Sequence, residues 1–244
     1  MTALATLNTK INRPVTDLRD WSARIRSHGA VENWLTFVTS KSYVAPTTGF
    51  RNVLPRVGTG EAKATGAIAW ATEGAYQVPK WNGAVAEGKF RIPLSRPDNQ
   101  KVSIIIGGRA RLDRTNFATI LTNGAGSLPL FHSWNGNPAF SVSGIVRFGA
   151  ASTPLGSRFL YGFTFDWSTG GAAAAVNGGA FSKLTQVLTV GTPAAPLELM
   201  VGGSPTGTYT GEIHEVLTLP GVDLSETPAL WSDINTYATT IWGA

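Results

Sequence analysis

Between Phe159 and Trp167 a large aromatic falls at every second position: Phe159, Tyr161, Phe163, Phe165 and Trp167. A period of two is the repeat of a β-strand, whose successive side chains point to opposite faces. The five aromatics therefore share one face of one strand, while Leu160, Gly162, Thr164 and Asp166 share the other. A face so apolar must be buried, so this strand lines a core. The chain continues to residue 219 as short apolar runs separated by Gly, Asn, Pro, Ser and Thr, the pattern of an antiparallel meander. Nothing between the runs has the length and period of the helix that a parallel crossover needs.

Similar strand signals start at Ala67 and recur over 75–79, 88–94, 102–107, 117–121, 130–134, 140–147, 172–177, 184–189, 197–201 and 211–219. Asn82-Gly83, Glu87-Gly88, Asn123-Gly124, Asn135-Gly136 and Asn177-Gly178 read as turns between them, and Gly144 as a bulge. Short strands at this spacing predict an all-β sandwich or jelly roll. Composition agrees: 28 Gly and only 14% charged residues are a poor recipe for helix. The C-terminus differs. Ser225 is a candidate N-cap, Pro228 falls in the first turn, and Leu230, Ile234, Tyr237 and Ile241 lie on one helical face. A helix over 226–242 is expected to close the end of the sandwich, with Trp231 and Trp242 beside that face.

Residues 1–60 read as an N-terminal arm with short helices, and 61–244 as the jelly roll. In the arm, Leu18, Trp21 and Ile25 form one helical stripe, Gly29 interrupts it, and Val31, Trp34, Leu35 and Val38 fit a second short helix. Residues 41–66 read as extended chain and loops. Arg13, Arg19, Trp21, Arg24, Arg26 and Trp34 form a basic, aromatic set that is a candidate anchoring surface. Packing on the arm's own domain is the plainer use of the same residues.

The net charge of +5 is unevenly divided. Residues 1–60 carry eight Lys/Arg and three acids, residues 61–183 twelve and six, and residues 184–244 six acids with no Lys or Arg. Opposed ends of this kind can join copies head to tail, and a threefold ring closes such contacts. The cations are scattered singly, so nucleic-acid binding is not expected. No apolar run reaches the length of a membrane span, and the first twenty residues do not read as a Sec signal peptide.

Reactive sets are hard to find. There is no Cys, and His28, His132 and His214 are dispersed. Neither HExxH, GxSxG nor a phosphate-loop spacing occurs. Glu212 and Glu215 are three apart on a predicted strand, an odd offset that puts them on opposite faces and makes them a poor hydrolytic pair. No enzymatic activity is expected. For sugar binding, Trp81 with Asn82, Trp134 with Asn135 and Asn137, and Tyr209 in the 202–211 loop could combine an aromatic platform with amides. Asp166, facing away from the aromatics of its strand, is a further ligand candidate. Each of these aromatics also fits an ordinary core or rim position.

Three stretches together resemble the concanavalin A-like, laminin-G-type jelly roll over about residues 65–244. FTFDWSTGGAAAAVNGG is similar to its pattern of strand, polar tip and strand ending in an Asn177-Gly178 turn. LELMVGGSPTGTYTGEIHEVLTLPGVDLS matches its later pattern at Leu199, Gly202, Gly203, Tyr209, Gly211, Ile213, Glu215, Val216, Leu217 and Leu224. PKWNGAVAEGKFRIPL resembles the entry into the sheet. The resemblance implies a concanavalin A-like sandwich. Its functions range over lectin modules, glucanases, adhesion domains and accessory domains of phage tails and heads. The glucanase Glu-x-Asp-x-x-Glu motif is absent here. The resemblance also implies calcium, held by Asp and Asn side chains with loop carbonyls, as the one cofactor to look for; otherwise no cofactor is expected.

The reading that joins these features is a structural or accessory subunit of a tailed-phage particle, anchored by residues 1–60, located in the virion and assembled as a trimer with other virion subunits. The alternative is an extracellular lectin-like module that binds cell-surface glycan.

Overall fold

The computed structural model describes residues 23–25, 27–28, 31–37, 39–40, 60–73, 76–84, 87–95, 99–111, 114–122, 130–134, 137–141, 145–148, 153–184, 187, 197–203 and 209–242. In chain order the strands are β1 (Asn33–Thr36), β2 (Thr39–Ser40), β3 (Lys63–Ala64), β4 (Ala69–Glu73), β5 (Tyr76–Asn82), β6 (Phe90–Leu94), β7 (Lys101–Ala110) and β8 (Arg114–Thr122). They continue as β9 (Leu130–Trp134), β10 (Asn137–Ser141), β11 (Ile145–Arg147), β12 (Arg158–Asp166), β13 (Ala172–Val176), β14 (Ser182–Lys183), β15 (Leu197–Val201) and β16 (Thr210–Pro220). A 3₁₀ turn over Leu224–Glu226 leads into one helix, α1 (Pro228–Trp242).

The strands form two antiparallel sheets. A nine-stranded sheet runs β14-β13-β12-β7-β16-β5-β2, with β1 also paired to β16 and β4 to β5. A seven-stranded sheet runs β11-β10-β9-β8-β15-β6-β3. The aromatic alternation of β12 does what its period demands: Phe159, Tyr161, Phe163, Phe165 and Trp167 all enter the core between the sheets. The facing sheet contributes Phe90, Ile92 and Leu94 from β6 and Leu197, Leu199 and Val201 from β15.

The other face of β12 is buried too. Leu160, with Ile105, Ala175 and Leu217, forms a second core under Leu230, Trp231, Ile234 and Tyr237 of α1. The helix thus covers the outer face of the large sheet rather than closing an end of the sandwich. Small residues set its distance. Gly162 pairs with Ala175, and a Cβ on Gly162 would lie 2.9 Å from the Trp231 ring. Trp231 packs edge-on to Phe181 and its Nε1 donates to the Gly179 carbonyl at 3.0 Å. The helix starts at Pro228, where a missing N–H costs nothing, and Asp223, not Ser225, caps the turn before it by accepting from the Ser225 N–H. Asn177 and Gly178 have φ of 47° and 77°, the two left-handed positions of a tight hairpin.

Residues 31–37 differ from the expected second short helix, and Val38 lies outside the described residues. Asn33–Thr36 is β1, paired with Glu215–Thr218 of β16. Its parity is that of a strand: Trp34 enters the core under the helix, whereas Leu35 and Phe37 enter the core between the sheets. Both faces being apolar, the sequence shows no alternation and imitates a helical stripe. The sandwich therefore takes β1 and β2 from the segment expected to be an arm. The strand expected over 140–147 is instead parts of two antiparallel strands, β10 and β11, and residues 142–144 lie outside the described residues. Of the strand expected over 184–189, Leu184 falls just beyond β14, and residues 185–186 and 188–189 lie outside the described residues.

Candidate functional site

Two of the aromatics expected to form a sugar platform are core residues. Trp81 is 1% and Tyr209 0% exposed, with their rings 5.7 Å apart. Trp81 Nε1 donates to the Gly88 carbonyl at 2.8 Å. The Tyr209 hydroxyl lies 2.9 Å from the Arg109 carbonyl and 3.0 Å from that of Glu212 and donates between them. Burial, then the Glu212 charge, hold this phenol well above its ordinary range. Neither ring can stack on a ligand. Asn82 is exposed, but its backbone N–H and Nδ2 both donate to Glu87, whose carboxylate also accepts from Gly83 and Ala84 and so organises the turn. Trp134 and Asn137 are register partners at the tip of the β9–β10 hairpin. Asn135 lies outside the described residues.

Asp166 ends β12 and closes its own turn: Oδ1 accepts from Ser168 N at 2.8 Å, Ser168 Oγ at 2.6 Å and Thr169 N at 3.3 Å. Burial would raise its pKa, but these donors outweigh it and hold the carboxyl below its ordinary value. An oxygen so surrounded by donors does not fit a calcium ligand. Among the described residues no group of three His, Asp or Glu could hold a metal ion.

Of the candidate anchoring residues, Arg13, Arg19, Trp21 and Arg26 lie outside the described residues. Arg24 and Trp34 are used within the fold. Arg24 Nε sits 2.9 Å from Asp233 of α1, and His28 Nε2 3.0 Å from the same carboxylate. Trp34 is fully buried, edge-on to Tyr237 at 4.9 Å.

The acid-rich C-terminal segment is matched inside the molecule. Glu198 pairs with Arg91, Glu212 with Arg111, Asp223 and Glu226 with Lys101, and Asp233 with Arg24. The sixth acid, Glu215, accepts from Thr36 Oγ1 and the Tyr237 hydroxyl. The uneven charge along the chain is therefore matched in part by ion pairs within one copy.

Glu212 and Glu215 occupy the same face, against expectation. A β-bulge between Ile213 and Glu215 inserts His214, so Ile213 and Val216 both face the core between the sheets and both glutamates face outward. Each is 1% exposed. Glu212 accepts from Arg111 Nε and Nη2 at 2.9 and 2.6 Å. His214 is 2% exposed; burial, then the charges of Arg158 and Arg109, push its pKa down to about 3.

An open cleft of about 330 Å³ lies at the start of α1. Val222 and Leu230 give it an apolar floor, and His28, Asn99, Lys101, Asp223, Glu226 and Thr227 line it with polar groups. Asn99 holds the rim by donating to the Gly221 carbonyl at 2.7 Å, and Lys101 Nζ donates to Glu226 at 3.2 Å, a hydrogen bond that, with the carboxylate's charge, raises the lysine's pKa. Sequence reasoning missed this site, because its residues come from three separated segments and carry no motif.

No family model and no curated relative matches the sequence. The backbone is similar to domain 4 of AbnA, a GH43 extracellular arabinanase from Geobacillus stearothermophilus, in complex with arabinotriose: TM-score 0.55, 17% identity, 84% of this chain and 99% of that one. The likeness is one of fold. It extends to the Trypanosoma rangeli sialidase (TM-score 0.58, 11% identity, 87% of this chain and 33% of that one). It extends also to the binding domain of Botulinum neurotoxin DC in complex with SialylT (0.54, 12%, 87% and 52%). The chain thus shares a β-sandwich architecture with these structures.

Proposed function

We propose that this chain is a non-catalytic, extracellular carbohydrate-binding module. The observation that carries the proposal is the similarity of nearly the whole chain to a complete arabinanase domain in complex with arabinotriose. The cleft at the start of α1 supplies a site. Asn99, Lys101, Asp223 and Glu226 offer donors and acceptors for hydroxyl groups, and the half-buried Val222 an apolar surface for the C–H face of a sugar. Catalysis is left out of the proposal: Glu212 and Glu215, on the same face of β16, are each 1% exposed and already bonded. Arg24, Trp34 and the acidic segment are all engaged within one copy and so lend the particle-subunit reading no support.

A glycan array that includes arabino-oligosaccharides tests the proposal, followed by calorimetry on the best ligand. Lys101→Ala and Glu226→Gln are each expected to weaken binding by about tenfold, the worth of one or two lost hydrogen bonds. Trp134→Ala, at the hairpin tip, is expected to bind as wild type. An array without signal above background overturns the proposal, and loss of binding only in Trp134→Ala moves the site to the hairpin.

A further inference from the structure

The polar groups that line the cleft at the start of α1 are unevenly occupied. Asn99 uses both ends of its amide inside the fold: Nδ2 donates to the Gly221 carbonyl, and Oδ1 accepts from the Lys101 N–H at 3.2 Å. Thr227 Oγ1 donates to the Asp223 carbonyl at 3.1 Å, and His28 Nε2 is held by Asp233. The two carboxylates are only half used. Asp223 accepts from Ser225 through Oδ1, and Glu226 from Lys101 through Oε2. Among the described residues no hydrogen bond reaches Asp223 Oδ2 or Glu226 Oε1, and Lys101 Nζ stands 3.9 Å from the former. The groups left open at the cleft therefore include two charged acceptors.

The charge leans the same way. Among the described lining residues, Lys101 is the one lysine or arginine, and it serves both Asp223 and Glu226. Its hydrogen bond to Glu226, with the charges of Glu226, Asp223 and Asp166, raises its pKa against the pull of burial. Asp166 is its register partner on β12. Behind His28, Asp233 is paired with Arg24. With these neighbours counted, four carboxylates (Asp166, Asp223, Glu226 and Asp233) accompany two cations (Lys101 and Arg24) among the described residues. The start of a helix ordinarily suits an anion, but Pro228 has no N–H to offer, and Asp223 and Glu226 already stand there. Between Asn99 and Lys101, Gln100 holds a left-handed φ of 57°, a conformation that costs a non-glycine residue energy and recurs at binding sites.

We infer, resting on the carbohydrate-binding reading above, that this cleft chooses its sugar by charge: it takes a sugar that carries a protonated amino group, placed between Asp223 and Glu226, ahead of the neutral sugar, and it turns away sugar acids. An ammonium has three N–H groups to give to the two open carboxylate oxygens, and such charged bonds are about twice as strong as neutral ones. A carboxylate on the ligand could reach Lys101 only by displacing Glu226, and would then lie against both acids. The selection runs against the net charge of the chain, +5, which by itself draws polyanions.

Calorimetry at one low ionic strength tests this with tetramers of glucosamine, N-acetylglucosamine and galacturonate. The glucosamine tetramer is expected to bind about tenfold tighter than its acetylated form, and the galacturonate tetramer not measurably. Glu226→Gln, at a side chain 59% exposed, should cut that preference to about threefold or less. Lys101→Gln, which removes the lining lysine, should raise it, and Glu198→Gln on the other sheet should leave it unchanged. Equal affinity for the amino and acetylated sugars, tighter binding of galacturonate, or a preference indifferent to Glu226→Gln overturns the inference and leaves the carbohydrate-binding reading standing. So does binding of arabino-oligosaccharides without binding of glucosamine. Silence toward every one of these sugars overturns that reading, and this inference with it. If the variants do not fold, the ranking of the three tetramers by the native chain decides it alone.

Discussion

The hydroxyl of Tyr237 on α1 donates to the carboxylate of Glu215 on β16, a glutamate sealed at 1% exposure between the helix and the sheet. Thr36 of β1 donates to the same oxygen at 3.1 Å. One buried acceptor thus ties the helix, the central strand and the N-terminal strand together. Tyr237→Phe removes one donor and leaves the packing, and is expected to cost about 1–3 kcal/mol of unfolding free energy, read by urea denaturation. A change within error would show that the contact contributes nothing net.

Removal of residues 1–40 is expected to unfold the sandwich rather than to free it of an appendage. It deletes β1 and β2, opens both cores and uncovers the edge of β16. Trp34→Ala alone should cost about 3–5 kcal/mol. Loss of the cooperative transition in circular dichroism is the expected result; an intact transition in the truncated chain would restore the arm.

His214 predicts a pH dependence with a definite sign. Its unfolded imidazole takes a proton near 6.5, whereas the folded one does so only at about 3. Stability is therefore full above 6.5 and falls as the pH drops toward 3, by at most ~1.4 kcal/mol per pH unit. Between pH 6.5 and 5 most carboxylates stay ionised, so that window isolates the histidine. In His214→Gln the slope there should flatten; an unchanged slope would assign it to other groups.

Gly202 has a φ of 97°, and a Cβ there would lie 2.5 Å from the Trp81 ring. Gly202→Ala combines backbone strain with that overlap and is expected to cost about 1–3 kcal/mol or more. The quenching of Trp81 fluorescence should change with it, which separates this site from a general loss of stability.

Because each acid of the C-terminal segment is bonded within the chain, assembly through the charge division is not expected. The mass measured by light scattering should stay constant from about 0.05 to 1 M salt, across which exposed pairs become screened. A mass that falls with salt would reinstate the head-to-tail ring.

What could be read from the residues was whatever strand parity governs. The inward aromatics of β12, the bounds of β9 and β15 and the Asn177-Gly178 turn all follow from local patterns. What could not be read came from distant partners. Trp34 looked helical because both sides of β1 are covered. Trp81 and Tyr209 looked like loop aromatics because the strands that enclose them are far away in sequence. Glu212 and Glu215 were placed on opposite faces because nothing in Glu-Ile-His-Glu announces a bulge. The cleft exists only after the strands are assembled.

The position of β16 has a consequence for how the chain is made. It is the last strand, yet it lies in the middle of the large sheet, between β7 on one side and β5 and β1 on the other. Until residues 210–220 leave the ribosome, the strands synthesised before them wait with open edges, and sheet formation depends on contacts nearly two hundred residues apart, such as Leu35 with Val216. Nascent chains of this protein are thus exposed to pairing with one another, and their yield should depend on chaperone supply and growth temperature more than the stability of the finished molecule would imply.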